Sequence, residues 1–175
     1  MSRTTAPSAA LPIAHVVLRI LIVVNWLGGA AILALLLVSP NEHWIMSAFK
    51  LSPSPDTDRL IMGLRAIAML GLATIPLNHI SLKRLLAIVE TVRAGDPFVS
   101  ANADRLQAIA WVLLTLQLLG IVVGAIVRMV STPAHPVDID AGFSIGGWLA
   151  VLLTFLLARV FAEGATMRDE LEGTV

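Results

Sequence analysis

The sequence predicts an all-α, polytopic membrane protein: a bundle of four transmembrane helices with helical extensions on the cytoplasmic side. Three observations lead there, namely the composition, four long uncharged stretches and the placement of the basic residues. Of 175 residues, 57% are hydrophobic and only 14% charged, with a mean hydropathy of +0.86, whereas soluble domains carry about 25% charge. A soluble chain of this length has nowhere to hide so much apolar surface. Twelve basic and twelve acidic residues cancel to zero formal charge, and no basic block exists. Direct nucleic-acid binding therefore has no electrostatic basis. The absence of cysteine excludes disulfides, thiol redox chemistry and thiolate metal sites.

The uncharged stretches run from Ile20 to Val38, Ala66 to Leu82, Leu106 to Val127 and Ala141 to Ala158. A hydrocarbon core of roughly 30 Å needs about 20 helical residues, so each stretch spans once its flanks are included. Helices are required because lipid offers the backbone no hydrogen-bond partners. With flanks, the spans are placed at 16–38, 60–82, 106–128 and 142–161, in a single membrane domain covering 1–175. A cleaved signal peptide is the rival reading of the first stretch. It is disfavoured because the stretch is too long for a signal core and Ser39 is followed by Pro40, with no small-residue cleavage site.

Basic residues are retained on the cytoplasmic side. With the N-terminus inside, Arg3, Arg19, Lys83, Arg84, Arg93, Arg105, Arg159 and Arg168 lie inside, while Lys50, Arg59, Arg65 and Arg128 lie outside. The expected topology is multi-pass, with both termini cytoplasmic. The outer loop from Ser39 to Arg59 reads as irregular because Pro40, Pro53 and Pro55 break any helix, with Trp44, Ile45 and Phe49 at the interface. A second short outer loop, Ser131 to Asp140, is kept irregular by Pro133 and Pro136.

On the inner side the helical pattern outlasts the second span. Leu82, Leu85, Leu86, Val89 and Val92 recur at helical spacing, with Lys83, Arg84, Glu90 and Arg93 on other faces. This predicts an amphipathic extension over 82–94 that stops at Gly95, the usual left-handed cap residue. Asp96 and Pro97 then turn the chain, and Ser100 or Asn102 is expected to cap the next helix. Within the second span, Pro76 is expected to introduce a kink beside Asn78 and His79. Small residues at spacing four, Gly142, Gly146, Ala150, Thr154 and Ala158, with Gly120 and Gly124, predict close helix approach within the bundle or, alternatively, a homodimer seam.

Candidate chemistry is sparse. No Asp or Glu lies within an uncharged core, which counts against ion-coupled transport. Arg65 lies near an outer end, from which it can snorkel. Asn25, Thr115 and Gln117 read as interhelical hydrogen-bond partners. His15 with His79, and His43 with His135, form pairs too small to define a metal or haem site, so no cofactor is expected. No glycine-rich phosphate loop, nucleophile elbow or zinc-protease motif occurs, and no enzymatic activity is expected.

Two inner segments are distinctive: Gly95-Asp96-Pro97-Phe98-Val99 with Asn102 and Arg105, and the C-terminal tail over 163–175, with Glu163, Gly164 and Arg168. With four spans in this length, they resemble the small bacterial membrane proteins of domain-of-unknown-function family 2975 (DUF2975). The resemblance implies a bacterial cytoplasmic membrane as the location and no established activity. Members of that family are often associated with small helix-turn-helix regulators of the Cro repressor type, so it implies a membrane partner of such a regulator. On physical grounds alone, the first segment is a well-made helix corner that Phe98 pins, and Arg168 is expected to meet Glu90 or Asp104, or to face a partner. Two functional expectations follow: a module whose inner face binds a cytoplasmic regulator, or a homodimeric small-molecule or ion-handling protein with a polar cavity lined by Asn25, Asn78, His79, Thr115 and Gln117.

Overall fold

In the computed structural model, residues 10–40, 47, 54–131 and 142–172 are described. Expectations placed on Trp44, Ile45, Phe49, His43, His135 and the 132–140 loop lie outside them. Among the described residues every regular element is a helix: α1 (Ala10–Val38), α2 (Pro55–Arg93), α3 (Ser100–Val130) and α4 (Ile145–Glu172). All four are long and apolar enough to cross a membrane, and the protein is a four-helix polytopic membrane protein.

The helices pack in chain order. Among the described residues α1 touches α2, α2 touches α3 and α3 touches α4, with no contact between α1 and α4. Each pair is antiparallel, so the start of α1, the α2–α3 junction and the end of α4 share one end of the molecule, termed here the corner end. His15 of α1 approaches Glu90 of α2 to 4.0 Å there, and at the other end the Arg65 guanidinium of α2 donates to the Ser39 carbonyl that closes α1. A cation at the negative end of a helix dipole is favourable.

The pattern of burial is that of a protein dissolved in lipid. Leucine, isoleucine and valine side chains along α1 and α4 are exposed, and α1 buries only Gly29. Because lipid tails are as apolar as these side chains, helices associate through close packing and interhelical hydrogen bonds. Gly29 lets the Ile75 side chain of α2 approach, with an added Cβ meeting it at 3.1 Å. Beside it, Asn25 Nδ2 donates to the Ile75 carbonyl at 3.1 Å and Trp26 Nε1 donates to His79 Nδ1 at 3.1 Å. The helix runs unbroken through Pro76.

Three expectations are corrected. The outer loop ends earlier than Arg59, because Ser54 caps α2: its hydroxyl accepts from Thr57 N at 3.2 Å, Pro55 occupies the first turn, and Asp56 and Asp58 sit at the positive end of the dipole. Pro55 starts a helix here rather than breaking one. Second, Val99 is the N-cap of α3, without a side-chain hydrogen bond. Neither Ser100 nor Asn102 caps that helix, because Asn102 is drawn inward. Third, only part of the spacing-four set meets its neighbour: Ala158 is buried together with Val151 and Ala165, Gly124 is buried on α3, and Gly120 lies against the Gly142 carbonyl, while Gly146 faces open space. Steps of seven stay on one face of a helix, whereas repeated steps of four drift around it. Gly147 receives the Gln117 side chain so closely that a Cβ would overlap it.

Gly63 packs directly on Val130 of α3, and a Cβ there would collide with that side chain. Gly63→Ala should lower stability by about 1–3 kcal/mol through overpacking, whereas Gly28→Ala, with nothing within 4 Å of the added methyl, should leave it within error. Thermal unfolding of both variants in detergent checks the contrast.

Candidate functional site

The corner begins where α2 runs out. Ala94 is its C-cap, and Gly95 follows at φ +86°, a left-handed conformation that costs a side-chain-bearing residue roughly 1–2 kcal/mol. Gly95 N donates to the Val92 carbonyl at 3.1 Å and Asp96 N to the Thr91 carbonyl at 3.0 Å. This paired arrangement is a Schellman motif, which satisfies two carbonyls that the helix end would leave orphaned. Pro97 cannot continue the helix and sends the chain toward α3.

Asn102 locks this turn. Its side chain is 0% exposed. Nδ2 donates to Thr91 Oγ1 at 2.7 Å and to the Pro97 carbonyl at 2.8 Å, while Oδ1 accepts from Arg105 Nη1 at 2.7 Å. Thr91 Oγ1 in turn donates to the Ile88 carbonyl at 2.8 Å, and Arg105 Nη1 also reaches the Ala87 carbonyl at 3.4 Å. A buried amide is tolerable only when both its hydrogens and its oxygen are paired, and here they are. One side chain therefore ties the end of α2, the turn and the first turn of α3 together.

α4 closes the site. Its helix continues to Glu172, well past Arg159 where the uncharged stretch ends. Arg168 pairs with Asp96 across 72 residues of sequence, rather than with Glu90 or Asp104. The correction has a geometric cause: the Schellman turn presents Asp96 toward α4, while Glu90 lies on the other flank beside His15. The Phe98 ring packs on Phe161 with centroids 5.3 Å apart and planes at 38°, and a Cβ on Gly164 would meet it at 3.0 Å. Gly164 is thus the seat of Phe98.

The two distinctive segments meet in one structure. Gly95, Asp96, Pro97, Phe98, Asn102, Arg105, Gly164 and Arg168 are mutually connected, while Glu163 points elsewhere and pairs with Arg159 on its own helix at 2.9 Å. Sequence reasoning missed Thr91 and Phe161. Thr91 was detectable as a hydroxyl one turn before the helix-ending glycine. Phe161 carried no signal in an apolar segment. Phe98 remains 45% exposed and Met167 60%, and a shallow groove of about 250 Å³ opens between Asp96, Phe98, Ser100, Arg168 and Asp169.

Of the polar residues assigned to a shared cavity, Asn25, His79, Thr115 and Gln117 do not converge. Asn25 and His79 serve the α1–α2 seam, Thr115 donates to the Trp111 carbonyl of its own helix at 2.9 Å, and Gln117 faces Gly147 in the α3–α4 seam. Among the described residues no group of three or more His, Asp or Glu is gathered to hold a metal.

The profile of a family described as "Protein of unknown function (DUF2975)" matches residues 41–175. No curated protein and no solved structure matches the chain.

Two measurements test the corner. Asn102→Ala leaves Arg105 and the Pro97 carbonyl without their partner and should cost about 2–3 kcal/mol, read as loss of thermal stability in detergent. A double-mutant cycle over Asp96→Ala and Arg168→Ala should return a coupling of about 1 kcal/mol or less, because both side chains are some 40% exposed and solvent screens the pair.

Proposed function

The chain belongs to the DUF2975 family, whose match covers α2, α3, α4 and the whole corner, and from that premise we propose a non-enzymatic membrane module that presents its corner to a soluble cytoplasmic partner. The favoured partner is a small helix-turn-helix regulator, whose availability the module alters by holding it at the membrane. The observation that carries this reading is the joining of two segments far apart in sequence, around Phe98 and Arg168, into one surface beyond the uncharged spans. Phe98 exposes apolar surface there, and Met167 does so on a neighbouring face of α4 beside Glu163 and Thr166, both beyond the charged residues that bound the spans, where water rather than lipid is the alternative contact. Exposed Asp169 lines the groove beside Phe98, and with Asp96 it outweighs Arg168, a charge balance suited to a basic partner. The cytoplasmic assignment of the corner end, in the bacterial inner membrane, rests on its excess of basic residues.

The second reading is a homodimer handling a small molecule or ion. It draws on Gly146 and Ala150, which face outward from α4 and suit a close helix approach in lipid.

Cross-linking from native membranes separates the two. A soluble protein with a helix-turn-helix domain should be captured by the intact chain and lost, by about tenfold or more, from Phe98→Ala and Met167→Glu variants that still insert and melt as the parent does. Capture that is absent, or indifferent to both substitutions, overturns the partner reading. Cross-linking of the chain only to itself, abolished by Gly146→Leu, supports the homodimer.

A further inference from the structure

On the flank of the α3–α4 seam away from Phe98, a groove of about 260 Å³ lies at the corner end, lined among others by Asp104, Gln107, Phe155, Ala158 and Arg159. Its depth is set by sequence. Asp104 and Arg105 precede the uncharged stretch of α3, and Arg159 follows that of α4, so the polar lining sits where headgroups sit and the apolar lining points into hydrocarbon. Asp104, Gln107 and Trp111 follow one another at helical spacing on α3, as Arg159 and Phe155 do on α4. Deeper than the charges, about two turns from Asp104 on α3 and about one from Arg159 on α4, Trp111 and Phe155 meet edge to face with centroids 5.3 Å apart, and Trp111 stays 56% exposed.

We propose that this groove is a binding site for a zwitterionic phospholipid with a primary-amine headgroup, of the phosphatidylethanolamine class. The ammonium takes Asp104, an exposed carboxylate at the groove's polar end. The phosphate takes the terminal nitrogens of Arg159, whose Nε is engaged by Glu163 at 2.9 Å. The carboxamide of Gln107 supplies a further donor and acceptor between them. One acyl chain runs down over Ala158, Phe155 and Trp111, an aromatic pair at the depth where amphipathic rings favour the interface. Charge selects the headgroup. The groove's charged lining is one carboxylate, Asp104, and one guanidinium, Arg159, a complement to a zwitterion, whereas a purely anionic lipid would leave Asp104 facing like charge. A quaternary choline brings positive charge without an N–H to donate, so it loses the hydrogen bond to Asp104.

The test uses the full chain in detergent, titrated separately with phosphatidylethanolamine, phosphatidylcholine and phosphatidylglycerol of equal acyl length, with bound lipid counted by native mass spectrometry. The parent should retain the ethanolamine lipid about fivefold more tightly than either other lipid, the value of one charge-assisted hydrogen bond at a partly exposed site. Asp104→Asn should abolish that preference while keeping the parent's melting temperature, and Arg159→Gln should weaken retention of all three lipids. Equal retention of the three by the parent, a preference for the glycerol lipid, or an ethanolamine preference that survives Asp104→Asn overturns the proposal.

Discussion

The side chain of Asn102 is enclosed completely, and each polar atom it carries has a partner on a different part of the chain. Removing a primary amide from water is costly unless all its hydrogen-bonding capacity is met, so the network is selective: only one geometry of α2, turn and α3 satisfies Thr91, Pro97 and Arg105 together. The direction in which α3 leaves the turn follows from it. So do the positions of Asp96 and Phe98, which stand on the short segment that Asn102 anchors.

From that joint the packing spreads outward in order. α4 is placed by α3 through the Gln117–Gly147 contact deep in the span and by the corner through Phe98, Phe161, Gly164 and Arg168. Among the described residues α1 is placed only by α2, through Asn25, Trp26, Gly29 and Arg65. The row of helices is therefore asymmetric. The α2–α3–α4 part is held by a buried polar network, close backbone approach and ring packing, while α1 joins α2 through hydrogen bonds and the glycine contacts of Gly29 with Ile75 and Gly71 with Ile32. The family match begins at residue 41 and covers α2, α3 and α4.

An open row suits a membrane more than it would suit water. In water the outer faces of α1 and α4 would have to be covered, and a closed bundle would be the economical way to do it. In lipid those faces are already solvated, so closure gains nothing and helix order can follow chain order. The same reasoning underlies the two proposed surfaces. Exposed Phe98 lies beyond the charged boundary, where the proposed occupant is a protein. The groove of Asp104 and Arg159 lies at that boundary, where the proposed occupant is a lipid.

Much of this was legible in the residues alone. Four uncharged stretches determined the class and the number of crossings because the thickness of hydrocarbon admits little else. Gly95 determined where α2 ends, since a left-handed cap is a local property of backbone and side chain. Local signals were also misread: Ser54, Pro55 and Asp56 together start a helix, although each prolines-first reading of that stretch suggests a loop. What only the tertiary structure decided was partnership. That Arg168 takes Asp96 rather than Glu90, that Asn102 turns inward instead of capping α3, and that Gly147 rather than Gly146 faces a neighbour all depend on which side of each helix meets the next. Hydrophobic patterning specifies that side in a soluble protein. In a membrane span both faces are apolar, so the choice passes to a few polar side chains and glycines whose contacts exist only after the helices have met.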